Sequence, residues 1–309
     1  MRLDAPYVRY RPAFAVRDLP SREFILEYPA VRETLVLPEE INPVSVPAHG
    51  EWTSPPMVRV WGLSLAQVTT DELVDLVDRL IERRMPSYFI TANLHYAMLS
   101  ARDSRLAKVN QRAAFLVADG MPLVWYSRLL GRPLPERVTG ADSVYRLAER
   151  AAARGHRVFL LGARPEVARA AANRLSELYP GLTLAGVESP MLDSMSSEDQ
   201  AALVERIRRT RPDLLLAALG QPKGELWLAE NLETLGVPVC VQIGASLDFV
   251  AGRVRRAPRW MQRIGGEWFY RITREPRRMI PRYAADAAFM VRAMIADVFG
   301  VGRRRSAGT

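Results

Sequence analysis

The chain has 309 residues, 49% of them hydrophobic and 25% charged, and carries a net charge of +9. That length and composition bury a full core and exclude global disorder, leaving room for one large domain or two small ones. A single cysteine, Cys240, excludes an intramolecular disulfide, and the three histidines, His49, His95 and His156, share no ligand spacing, so no metal site and no cofactor are expected.

Residues 1–56 scatter nine prolines among charges without a period of 2 or 3.6, which predicts a loosely structured extension. No apolar leader and no uncharged run of about 18 residues occurs, so neither secretion nor a membrane-spanning helix is expected. With one thiol in an apolar run, the setting is read as reducing and cytosolic. From Met57 the pattern changes. MVRVWGL predicts a strand, and Thr69-x-x-Glu72 forms a capping box ahead of an amphipathic helix through Leu73, Val74, Leu76, Val77, Leu80 and Ile81. Strand-like runs follow as SYFITAN, AFLVADG, HRVFLLGA, LTLAGVE, DLLLAALG and VPVCVQIG, mostly separated by helical patterns. This alternation predicts an α/β fold with a mainly parallel, Rossmann-like sheet covered by helices on both faces. The predicted organisation is an extension over 1–56, an α/β core over 57–252 and a basic helical appendage over 253–309.

Several predicted strands end in Asn93, Asp119, Gly162, Gly220 or Gly244. Ligands of open parallel sheets bind at that carboxyl edge, beside helix N-termini. No GxGxxG or GxxxxGK[ST] follows a strand, which disfavours a dinucleotide fold of the usual kind and a P-loop. Thr91 and Asn93 end one strand, where they either face the rim or, for Asn93, cap the next helix. Asp119, followed by Gly120 and Pro122, reads as a helix cap or as a carboxylate placed to take a proton from an alcohol. Arg137, before the Gly140 turn, is a surface charge or a phosphate ligand. Gly220, Gln221, Pro222, Lys223 and Glu225 form a capped helix start or a cradle for phosphate or sugar.

The excess positive charge is confined to the end of the chain. Residues 253–309 hold fourteen arginines, no lysine and four acids, whereas 1–252 are nearly neutral. Arginines interleave there with Trp260, Trp268, Phe269 and Tyr270, and Trp260, Ile264, Trp268 and Ile272 share one flank of a helical wheel that Gly265-Gly266 interrupts. Such a block seeks the phosphates of an anionic membrane surface, a nucleotide or a nucleic acid. The apolar stretch 284–299 carries Asp286, Arg292 and Asp297 and is expected to lie on a surface rather than cross a bilayer.

The segments TAN, ADGMPLVWYSRLLGRPLPERVTG, LGQPKGELW and GASLDFVAGRVRRAPRWMQRIGGEWFYRITREPRRM, in that order, resemble the WecG/TagA/CpsF family of bacterial glycosyltransferases over about residues 57–283. The resemblance implies inverting, metal-independent transfer of N-acetylmannosamine, its uronate or glucose from a UDP-sugar to a polyprenyl-diphosphate-linked saccharide. The setting it implies is peripheral, at the inner face of the cytoplasmic membrane, in cell-surface polysaccharide assembly. By the same resemblance Asp119 is the catalytic base. Thr91, Asn93, Arg137, Gly140, Gly162, Gln221, Lys223 and Glu225 line the substrates, and Arg256, Arg271 and Arg278 belong to an appendage that closes over the site. The chain departs from the family pattern in carrying Gly224 where a Gln is usual, which removes one amide, and Gly266 where an apolar residue is usual, which predicts a looser appendage. No nucleic-acid partner is expected, and an oligomer is allowed. A polyanion-binding module with a regulatory α/β domain is the alternative; a sugar-nucleotide oxidoreductase is weakened by the missing GxGxxG.

Overall fold

The computed structural model describes residues 54–298, apart from the side chains of Arg263 and Val298. Nearly all of the proline-rich extension, His49 and the arginines at 303–305 therefore lie outside the described residues.

Six strands form one parallel sheet: β3 (Ser87–Ala92), β4 (Phe115–Ala118), β5 (Arg157–Gly162), β6 (Thr183–Glu188), β7 (Leu214–Ala218) and β8 (Val239–Gln242), in the order β4-β3-β8-β7-β5-β6. Apart from the edge strand β6, they are buried almost end to end because helices cover both faces. One face carries α1 (Thr70–Arg83), α5 (Gly140–Arg154), α6 (Pro165–Leu178) and α9 (Ser246–Val250), packed around Leu73, Leu147, Leu160, Leu175 and Val241. The other carries α2 (Leu94–Arg102), α3 (Ser104–Arg112), α4 (Met121–Leu129), α7 (Ser197–Arg209) and α8 (Lys223–Leu235), packed around Tyr88, Leu106, Leu123, Leu215 and Trp227. The capping box at Thr69 and Glu72 opens α1, and Arg84 closes it in the left-handed region at φ 56°. Cys240 is fully buried in β8, which pushes its thiol pKa up and leaves it unreactive.

Two expectations are corrected and one is made specific. MVRVWGL is not one strand but the start of a two-stranded antiparallel hairpin, β1 (Met57–Val60) and β2 (Leu63–Ala66), turned by Trp61 and Gly62 at φ 47° and 84°. The aromatic-basic tail is interrupted at its glycine pair. It breaks at Gly265, φ 75°, into α10 (Arg259–Arg263) and α11 (Glu267–Arg274), before α12 (Pro276–Val298). Finally, α12 does not merely lie on a surface. Phe289 and Met294 pack on the core, Phe289 meets the Trp61 ring edge-on, and Asp286 is buried against His95 Nδ1 at 2.8 Å. The Tyr126 hydroxyl donates to Asp297 at 2.6 Å, a third tie between α12 and the core.

Candidate active site

At the carboxyl edge the strand order decides which loops meet. β4 and β3 are neighbours, so Asp119 and Asn93 emerge side by side, and a side chain at Gly120 would already touch Asn93. The chain after α4 returns along the same edge, where the Val138 amide donates to Ala118 O at 2.9 Å, setting Arg137 and Gly140 beside Asp119. Asp119 does not cap α4, whose N-cap is Gly120 without a side-chain bond. Its carboxylate instead accepts from the Gly140 amide at 3.3 Å, at the N-terminal end of α5. A side chain at Gly140 would crowd its neighbours, since a Cβ would lie 3.2 Å from Ile243 O and from Ser246 Oγ.

Burial pushes the Asp119 pKa up to about 6. The Gly140 amide, Arg137 and Arg271 draw it down, while the Glu267 carboxylate pushes it higher. Such a carboxylate is ionised at neutral pH yet basic enough to accept a proton.

Around it stand guanidinium groups from the middle of the chain and from its C-terminal part. Arg137 Nη1 donates to Glu267 Oε2 at 3.2 Å, with both side chains 15% exposed. Arg256 and Arg271 approach the same carboxylate at 3.8 and 3.7 Å. Arg256 is also forked onto Asp142, and Arg256 and Arg271 both lie over the Phe249 ring, 5.9 and 5.3 Å from its centre. Arg137 is therefore not a solvated surface charge.

The other expected residues fall into two groups. Asn93 does cap α2, accepting from the Tyr96 amide at 2.9 Å, while its Nδ2 donates to Gln221 Oε1 at 3.2 Å. Gln221 thus joins the end of β7 to the Asp119 end of the rim. Thr91 and Glu225 do not face the rim as expected. The Thr91 hydroxyl is buried and donates to Gln242 O at 3.0 Å, tying β3 to β8. Glu225 is 1% exposed, and its oxygens make no hydrogen bond of ordinary geometry, although Gln221 lies close enough to lower its pKa. Burial outweighs that effect and pushes the Glu225 pKa up to about 7.

Gly162 and Lys223 stand farther along the edge, at a cavity of about 280 Å³ between the ends of β5 and β7. From these adjacent strands the chain leaves in opposite directions, to β6 and to β8, which makes this the topological switch point where open α/β sheets take ligands. Gly162, at φ 99°, lets the chain pass close to β7, because a Cβ there would sit 2.6 Å from Ala218 O. Lys223 Nζ pairs with Asp193 at 2.7 Å at the cavity mouth. Arg278 does not join the Asp119 group; it pairs with Glu275 and acts electrostatically on Asp248, which lines the cavity.

Three residues escape sequence reasoning. Glu267 looks like an ordinary first-turn acid, and Arg164 and Asp248 like unrelated surface charges, until the fold sets the first among three arginines and the others at the cavity. Among the described residues no group of three or more His, Cys, Asp or Glu could hold a metal ion.

Residues 58–302 match the sequence model of the glycosyl transferase WecG/TagA/CpsF family. Among curated proteins, the chain is 31% identical over 209 residues to the N-acetylglucosaminyldiphosphoundecaprenol N-acetyl-beta-D-mannosaminyltransferase of Bacillus subtilis, covering 66% of this chain and 80% of that protein. The enzymes of the same name from Bacillus spizizenii and Staphylococcus aureus strain MW2 are 30% and 29% identical, over 69% and 72% of this chain and 84% and 86% of theirs.

Proposed function

The chain belongs to the WecG/TagA/CpsF family of glycosyltransferases, and from that footing we propose that it moves a sugar from a UDP-sugar to a polyprenyl-diphosphate-linked saccharide, with inversion. The activities for which its relatives are named make N-acetylmannosamine the first donor sugar to test and N-acetylglucosaminyl-diphospho-prenol the first acceptor.

The observation that carries this reading is one basic carboxylate, Asp119, held beside three partly buried arginines at a parallel-sheet edge. The acceptor hydroxyl gives its proton to Asp119 as its oxygen bonds to the anomeric carbon. The bond from that carbon to the diphosphate breaks on the opposite face, and UDP departs with the electron pair. Arg137, Arg256 and Arg271 neutralise the charge that grows on the leaving oxygen, a preorganised electrostatic contribution. The cavity between β5 and β7 suits the nucleoside, with Asp248, Arg164 and Lys223 among its polar lining. At ordinary strand spacing it lies roughly 17 Å along the edge from β4. An extended nucleotide-sugar spans that rim with its reacting end at Asp119.

The same reading places the protein on an anionic membrane. Trp260, Ile264, Trp268, Phe269, Trp125 and Leu129 are exposed, and Gly265 packs directly against Met121 and Trp125, so the apolar residues of α4 and the tail form one neighbourhood. Arginines border it, a combination suited to an interfacial surface. Among the described residues no helix is long and apolar enough to cross a membrane.

A screen for UDP release across UDP-sugars, with a short-chain prenyl-diphosphate-linked N-acetylglucosamine as acceptor, tests the reading. Acceptor-dependent release from UDP-N-acetylmannosamine is the expected result. Release from no UDP-sugar would contradict the assigned donor class.

A further inference from the structure

We propose that Glu267 is a placeholder for diphosphate: its carboxylate holds Arg137, Arg256 and Arg271 together, and an incoming diphosphate displaces it from them. The inference rests on the reading that these arginines receive a diphosphate. Among the described residues Glu267 is the one acid that meets all three guanidinium groups, through Oε2 to Arg137 and Arg256 and through Oε1 to Arg271. Arg137 comes from the loop before α5, Arg256 from the segment after α9 and Arg271 from α11, so the three share no helix and would repel one another without an anion between them. Two bridging oxygens on one carboxylate are what a diphosphate supplies in greater number and charge.

Docking of the tail does not depend on Glu267. Arg256 is separately held by Asp142, Gly265 is wedged on Met121 and Trp125, and α12 is fixed through Phe289, Asp286 and Asp297. Glu267 can therefore leave its partners while the tail stays in place. If it stayed among them, it would repel the phosphates it shares the site with. Glu267 is thus a positioning residue for the arginines and a competitor for their ligand.

The test is calorimetric titration of the full chain with three probes: inorganic pyrophosphate, UDP and farnesyl diphosphate. The probes distinguish the nucleotide from the lipid as the source of the diphosphate. Glu267→Gln should bind at least one probe roughly five- to tenfold more tightly than the wild type, since a repelling charge is removed while the arginines remain. Glu267→Asp, which keeps the charge, should show no such gain. A purely structural role predicts the opposite sign, so unchanged or weakened binding by a Glu267→Gln protein of normal melting temperature overturns the proposal. A second measurement needs no variant: in a crystal of the wild type with pyrophosphate, Arg137 and Arg271 should contact phosphate oxygens and no longer Glu267. Pyrophosphate bound elsewhere, with the Arg137–Glu267 pair intact, also overturns it. If Arg137→Ala weakens binding but Glu267→Gln does not strengthen it, only the placeholder fails. If no probe binds the wild type, the assignment of the arginines fails as well.

Discussion

Asp119 and Glu225 are both carboxyls whose pKa burial raises, yet they have opposite expected consequences. Asp119 stands at the rim beside a helix N-terminus and three arginines, and its ionised form is the one that accepts a proton. With its pKa at about 6, kcat/KM should be level above pH 7 and fall about tenfold per unit well below pH 6. A pH profile on the preferred donor measures this; a limb centred near pH 4 would remove the raised pKa from the mechanism. Glu225, inside the core, has a folded-state pKa of about 7 against an ordinary 4.5. Its proton-bound form favours the folded state, so its stabilising effect is complete below pH 4.5 and is lost as pH rises through about 7. Glu225→Gln should therefore raise stability by ~1–3 kcal/mol at pH 8, with the gain shrinking toward zero near pH 4. Thermal melts at the two pH values check it. The sequence offers Glu225 as a first-turn acid or a substrate ligand and does not reveal its burial, because burial depends on which strands flank α8.

At the scale of elements, Gly224 is explained by its neighbour across the strand ends. A Cβ at 224 would lie 2.4 Å from Gln242 Nε2, and the Gln242 carboxamide is held there by the Leu219 amide at 3.3 Å. The amide that the sequence loses at 224 is thus matched by one on β8 that fills the adjacent space. Gly224→Gln should cost about 1–3 kcal/mol through overpacking. Adding Gln242→Ala should recover much of that, a non-additivity that urea unfolding of the single and double variants measures. Equal losses in both backgrounds would mean the two positions do not compete for space. All six core strands were legible as apolar runs bounded by turn residues, because a doubly covered parallel strand has little choice of composition. The hairpin at Trp61 and Gly62 was not, since Trp in a left-handed turn carries no ordinary turn signal. The contact of the tail with α4 was not legible either; it is made at Gly265, against Met121 and Trp125.

Over the whole molecule, the charge asymmetry of the sequence becomes a spatial one. Arg256 and Arg271 turn inward to the Asp119 group while Trp260, Ile264, Trp268 and Phe269 stay exposed. One segment therefore offers cations to the site and aromatic rings to an interface. Replacing Trp260 and Trp268 together by Ala should reduce binding to vesicles containing anionic phospholipid by roughly tenfold or more. UDP affinity in solution should hardly change. Sedimentation with vesicles and a UDP titration separate the two, and undiminished vesicle binding would take these rings out of the interface. The sequence shows that arginines and aromatics interleave and that Gly265-Gly266 interrupts them, but not which side of each piece faces the sheet, because that depends on how the tail packs on α4.

The central claim is that Asp119 removes the acceptor's proton while arginines from both parts of the chain carry the leaving diphosphate. Single-turnover UDP release by Asp119→Asn, with UDP binding measured on the same preparation, tests it most directly. The account predicts a loss of ~10²–10⁴ in rate with UDP affinity within about twofold of the wild type. A near-normal rate, with the protein folded and UDP bound, would contradict it.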